Sequence, residues 1–243
     1  GLLSIEYGLS GPHGQFCSGG AAGLEAILFA AEAVRRGRTE AMLAGGVEAF
    51  HERTFRLAVA RGWVSPNGGG AESCLPFGAG RNGTVVGEGA AFFVIESEDS
   101  ARARGARVLA RIAATATAAT AGELYAAVLR QGDAPEAVFA AAGGSREADA
   151  AEGEAIRAAV GATTPVTAIK GWIGETFGAS GPLALAAALA GIEGGFLPPC
   201  VPGECAIEGL QLVKDGWSGN PNSALVAAGG PGAGTWCAVI LRR

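Results

Sequence analysis

From residue 97 onward the chain alternates segments of helical and extended character, and this alternation constrains its fold more than any other feature. Ser100 to Arg104, Val108 to Thr117, Gly122 to Leu129, Ala137 to Ala142, Glu147 to Val160, Pro165 to Lys170 and Ala179 to Leu189 follow in turn. Ser223 to Ala228 and Trp236 to Leu241 read as the last two strands. Helices inserted between strands make crossover connections, so the expected product is an α/β chain whose sheets are covered by helices. Upstream, Ala22, Leu24, Ile27, Leu28, Ala31 and Val34 recur at helical spacing until Arg35-Arg36-Gly37, which predicts a helix over 21–36. The apolar run Glu40 to Gly46 predicts a buried strand, Thr84 to Glu96 a longer one, and Ser65-Pro66-Asn67-Gly68-Gly69-Gly70 a loop. There is no tandem repeat and no linker of disordered composition.

Composition narrows the class. With 243 residues, 49% of them hydrophobic, the chain can bury a sizeable core in one domain or two. A net charge of −5 and the lack of any basic stripe argue against nucleic acid, because phosphate binding needs a surface that releases counterions. The hydropathy comes from alanine and glycine, and no 18-residue apolar run is free of charges or helix breakers, so no membrane span is expected. No signal or transit segment is visible, and cytoplasmic localisation is expected. The five cysteines, Cys17, Cys74, Cys200, Cys205 and Cys237, show neither a paired framework nor metal-ligand spacing, so thiols without zinc are expected. Only His13 and His51 could offer an imidazole, which limits general acid–base chemistry.

Short motifs then fall in one order. Leu3-Ser4-Ile5-Glu6-Tyr7-Gly8-Leu9-Ser10-Gly11-Pro12 resembles the segment leading into the active-site cysteine of β-ketoacyl synthases. Ala44-Gly45-Gly46-Val47-Glu48, Pro76-Phe77, Arg81-Asn82-Gly83, Gly87-Glu88-Gly89-Ala90 and Ile95-Glu96 follow that family's order. So do Asp149-Ala150-Ala151-Glu152, Ala168-Ile169-Lys170-Gly171-Trp172-Ile173-Gly174-Glu175-Thr176 and Gly229-Gly230-Pro231-Gly232-Ala233-Gly234-Thr235. The resemblance extends along nearly all of the chain. It implies a thiolase-like α/β fold of αβαβα layers, with residues 1–100 as the end of the first half and 101–243 as the whole second half. The stretch Gly19-Gly20-Ala21-Ala22-Gly23-Leu24-Glu25-Ala26 is similar to that of chain-length factors, the inactive partners of type II polyketide ketosynthases.

The same resemblance implies where chemistry should sit. Counted without a gap from Gly11-Pro12, the cysteine position holds Gly20, which cannot carry a thioester. Counting back eight residues from Asp149 puts the first histidine position at Ala141, or Ala142 with a shift of one, and neither donates a hydrogen bond. The second histidine position holds Glu175, whose carboxylate would repel a developing enolate instead of stabilising it. No catalytic residue is therefore expected. Lys170 and Glu88 match the family's lysine and glutamate; Lys170 is expected to pair with Glu175, and Glu88 to anchor a loop. No cofactor and no metal are expected.

Cys17 is the fallback nucleophile of a divergent β-ketoacyl synthase or acyltransferase, reached only by a local register shift. It falls where the family has the strand entering the turn, and on a strand His13 would be about 13 Å from it. Phe50, Phe55 and Leu57 are candidates for the acyl tunnel or the subunit interface, with core as the alternative, and His51 for a solvated or pocket-lining residue. The expected partners are an active ketosynthase subunit, as a heterodimer or higher assembly, an acyl carrier protein, and a separate polypeptide supplying the missing N-terminal half. A fragment, a split subunit and a compact variant are all compatible with the residues present. Each leaves sheet edges and an apolar face to be covered.

Overall fold

The computed structural model describes residues 2–66, 72–200, 204–230 and 234–243. Residues 67–70 of the expected loop and 231–233 of the terminal glycine segment lie outside the described residues. The helices are Leu2–Glu6 (α1), Ala22–Arg35 (α2), Glu52–Ala60 (α3), Glu98–Ala103 (α4), Ala121–Leu129 (α5), Arg146–Val160 (α6), Lys170–Ile173 (α7) and Ser180–Gly194 (α8). The strands are Ala41–Glu48 (β1), Gly89–Glu96 (β2), Arg111–Ala118 (β3), Ala137–Phe139 (β4), Val166–Thr167 (β5), Ser223–Ala228 (β6) and Trp236–Arg242 (β7). Side-chain oxygens of Thr120 and Ser145 accept from Glu123 N and Ala148 N, satisfying donors that α5 and α6 would otherwise leave free at their starts.

The strands form two sheets. β1 and β2 pair antiparallel, with Ala41 opposite Glu96 and Glu48 opposite Gly89. The larger sheet runs β3-β7-β6-β4-β5; β4 is parallel to β5 and β6, whereas β7 is antiparallel to β6 and β3. Its central strands are buried along their length because both faces are covered. Leu225 and Ala227 of β6 pack with Leu124, Tyr125, Val128 and Ile156 on the α5–α6 side. Ala224, Val226 and Ala228 face Leu24, Ile27, Leu185 and Ile192 of α2 and α8 on the other. The period-2 alternation of strand side chains makes one six-residue segment serve two cores.

The helices α2 and α8 in turn cover one face of the smaller sheet, where Met42, Ala44, Phe93 and Ile95 join their core. The layers are thus α5–α6, the five-stranded sheet, α2–α8 and the strand pair. Four of the five expected layers are present among the described residues. The opposite face of β1–β2 is exposed at Leu43, Val47, Phe92 and Val94. The reading of residues 40–46 as a buried strand is corrected accordingly: the strand is there, but only one side of it is covered. The stretch Phe177–Gly194 is long and apolar enough to cross a membrane, yet half of it is buried between the sheets as core.

Two further expectations change, and one helix is new. The strand expected from Thr84 begins at Gly89, and Thr84 and Val86 make only isolated bridges to Val64 and Glu175. Residues 9–18 form no strand before the turn, so Cys17 lies on irregular chain. Residues 52–60 form a helix that periodicity does not single out. Ala58 is its only buried residue.

Candidate functional site

Loops at the C-terminal ends of β4, β5 and β6 meet the turn that opens α2. The chain leaves β5 through Ala168 and Ile169 into α7, which starts at Lys170, and Glu175 follows after α7 ends. The expected ion pair is present: Lys170 Nζ lies 2.6 Å from Glu175 Oε2, and the two side chains are buried, 4% and 5% exposed. Lys170 Nζ also donates to Gly229 O at 3.2 Å. Glu175 Oε1 accepts from Ser180 Oγ at 2.7 Å and from Phe177 N at 2.9 Å. Burying two charges is costly unless every lone pair and proton finds a partner, and here both carboxylate oxygens are engaged.

Two glycines flank this carboxylate. A Cβ at Gly20, in the short 3-10 turn Gly19–Ala21 before α2, would stand 3.8 Å from Glu175 Oε1. A Cβ at Gly143, beyond β4, would stand 3.7 Å from Glu175 Oε2, 3.3 Å from Lys170 Cδ and 3.7 Å from Thr84 Oγ1. Counting by eight selects Ala141, but Ala141 and Ala142 belong to the apolar core under α5 and α6. Gly143 is a position in this loop that looks onto the ion pair. The cavity left between Gly20, Trp63, Thr84, Glu175, Phe177 and Gly230 measures about 10 Å³, room for about one water.

Carboxylates behind the site hold the β4 loop in place. Asp149 Oδ1 accepts from Gly143 N, and Oδ2 from Gly144 N and Phe77 N, at 3.0 to 3.1 Å. Burial pushes the Asp149 carboxyl up, and those three N–H donors pull it down. Glu152 Oε1 accepts from Ala141 N at 2.8 Å and Tyr125 Oη at 2.9 Å, while its Oε2 is buried without a partner among the described residues. Burial pushes Glu152 up to about 7. Asp149 and Glu152 are legible in the sequence as a motif; their grip on Gly143 and Ala141 is not.

Sequence reasoning assigns no role to Cys74, which the fold brings to the site. It is buried, donates to Gly143 O at 3.2 Å and accepts from Thr84 Oγ1 at 3.5 Å. Burial pushes its thiol up, which favours the unreactive protonated form. Cys200 and Cys237 are likewise buried, pushed up to about 11 and about 12. Cys17 is exposed, its Sγ within 3.9 Å of Gln15 Nε2, and it does not line the cavity. Glu88 Oε2 accepts from Phe50 N at 3.0 Å, anchoring the loop before α3. His51 caps α3, accepting from Arg53 N through Nδ1. The Phe50 and Phe55 rings meet at a tilt with centroids 5.9 Å apart, and with Leu57 they are exposed on the surface.

Among the described residues the cavity is lined by no thiol and no imidazole, and Cys74 reaches it only through Thr84. The comparisons agree with the fold. Residues 1–101 match the family model "Beta-ketoacyl synthase, N-terminal domain" and residues 100–204 its "Beta-ketoacyl synthase, C-terminal domain". A polyketide beta-ketoacyl synthase homologue from Streptomyces halstedii is 36% identical over 264 residues, covering all of this chain and 63% of that protein. A type II polyketide synthase acyl-carrier protein in complex with its ketosynthase, bound to the hexaketide, aligns with a TM-score of 0.90 at 24% identity. That alignment covers 99% of this chain and 65% of the other. The ishigamide ketosynthase/chain length factor aligns at 0.84 and 24% identity over 93% of this chain and 59% of that one. The chain therefore spans under two thirds of these relatives' length. On this fold and these matches, the chain belongs to the β-ketoacyl synthase family and has its thiolase-like architecture.

Proposed function

We propose that this chain is a non-catalytic, chain-length-factor-type subunit that pairs with an active ketosynthase and helps shape the channel for a carrier-bound acyl chain. The observation that carries the proposal is that Gly20 and Gly143 both face the Glu175 carboxylate, beside a cavity of about 10 Å³. A condensing site needs a thiolate there to hold the acyl group and donors to stabilise the enolate oxygen. Glycine supplies neither. Glu175 has both oxygens committed to Lys170, Ser180 and Phe177. Losing one oxyanion donor typically costs roughly 3 kcal/mol of transition-state stabilisation, and here the nucleophile is missing as well.

Two surface features support the pairing. Leu43, Val47, Phe92 and Val94 expose an apolar sheet face, and Phe50, Phe55 and Leu57 expose aromatic and aliphatic surface near α3. Patches of this kind mark interaction sites. Phe50, Phe55 and Leu57 are proposed as the residues that meet the partner or the acyl channel, and an acyl carrier protein as the donor of the chain.

The test is co-expression with candidate ketosynthases, followed by the mass of the intact complex and the length of its product. The expected result is a stable complex whose product length changes when Phe55 or Leu57 is replaced by a smaller residue. Condensation by the chain alone, or no complex with any ketosynthase, would reject the proposal.

A further inference from the structure

We infer that the Gly229 carbonyl is a built-in plug that fills the volume a side chain at position 20 would need, so that the site is closed from within as well as stripped of its nucleophile. The inference deepens the non-catalytic reading above and rests on it only for its functional meaning.

The geometry is specific. A Cβ at Gly20 would lie 2.6 Å from Gly229 O and 3.3 Å from Gly229 C, closer than real Cβ atoms approach a backbone oxygen. Among the described residues, the two nearest atoms are backbone atoms of Gly229, not the end of a flexible side chain. Gly229 itself is pinned. Lys170 Nζ holds its oxygen at 3.2 Å, and a Cβ on Gly229 would meet the Trp236 ring at 2.6 Å, so the backbone is packed against the indole. Trp236 is 8% exposed and belongs to the core under α5 and α6, which fixes the ring. The ion pair with Glu175 orients Lys170. Gly20 and Gly229 are therefore a matched pair of residues without side chains, each allowing the other its place.

Returning a sulfur to position 20 would not by itself return a usable thiol. The carbonyl would have to move first, against Lys170 on one side and Trp236 on the other. The closure also accounts for the cavity of about 10 Å³, too small for any acyl group.

Gly20→Ala and Gly122→Ala in the full chain give the direct comparison. Gly122 lies in α5, and a methyl group added there would meet open space. Gly20→Ala is expected to lower the melting temperature by roughly 4–8 °C, because a methyl is forced into a filled volume. Gly122→Ala is expected to leave it unchanged or slightly raised. In a Cys17→Ser background, the thiol introduced by Gly20→Cys is expected to react with iodoacetamide at least about tenfold more slowly than exposed Cys17 does in the parent chain. Failure of Gly20→Cys to fold while Gly122→Ala folds is the same steric conflict in stronger form. Equal melting of Gly20→Ala and Gly122→Ala, or labelling of the Gly20→Cys thiol as fast as that of Cys17, would overturn the plug. Pairing with a ketosynthase is measured on the parent chain; its loss would reject the functional proposal and leave the Gly20 result standing.

Discussion

Two glutamates, both almost wholly buried and both beside the same loops, are treated in opposite ways. Glu175 has a cation and two further donors, with both oxygens engaged. Glu152 has two donors on one oxygen and none on the other. The Lys170 ammonium offsets the charge of Glu175, whereas burial drives Glu152 towards its neutral acid. In a low-dielectric interior the number and charge of the partners decides the state of the group, and residue type alone does not. The paired glutamate closes the candidate site, and the other holds the β4 loop from behind.

The largest effect should come from breaking the paired member. Lys170→Met leaves Glu175 as a buried charge without its cation and is expected to cost about 3–5 kcal/mol of stability in urea unfolding. The double change Lys170→Met with Glu175→Leu removes both charges and should recover most of that loss. A double variant no better than the single would mean that the pair does not carry the cost.

Next in size is the pH response of the unpaired member. Glu152 has its folded-state pKa raised from 4.5 to about 7 by burial, so folding favours the protonated form. Its contribution is fully present below about pH 4.5, declines as pH rises towards about 7, and is gone above that. The span corresponds to about 3 kcal/mol at most. Glu152→Gln should flatten this part of the stability profile, measured by urea unfolding from about pH 5 to about pH 8. An unchanged slope would assign the response elsewhere.

A smaller effect is expected from Tyr125→Phe, which removes one of the two donors to Glu152 Oε1 and leaves Ala141 N. The expected cost is about 1 kcal/mol. That hydroxyl also pulls the Glu152 pKa down, so the pH window should move upward in the variant. A window that stays in place would show that Tyr125 does not tune the acid.

Much of this arrangement is legible in the chain itself. The α/β alternation accounts for most of the helices and strands, because long periodic segments such as 22–35 and 146–160 announce themselves. Motif spacing finds Gly20, Lys170 and Glu175. What spacing cannot supply is direction. Gly143, two residues past Ala141, looks onto the ion pair, and a glycine offers no side chain to betray it. The Gly20–Gly229 contact joins the two ends of the chain and leaves no local signal. Helix α3 escapes a reading of Phe50, Phe55 and Leu57 as core, because these residues stand exposed. A sequence pattern shows that apolar residues need cover and not what covers them.

The most direct measurement is the intact mass of this chain and an active ketosynthase after joint incubation with an acyl thioester of the kind a carrier protein donates. An acyl adduct on the ketosynthase alone is what the proposal predicts, since Gly20 and Gly143 bring no side chain to the Glu175 carboxylate and both of its oxygens are engaged. A stoichiometric adduct on this chain, mapped to Cys17 and abolished by Cys17→Ser, would contradict the central claim.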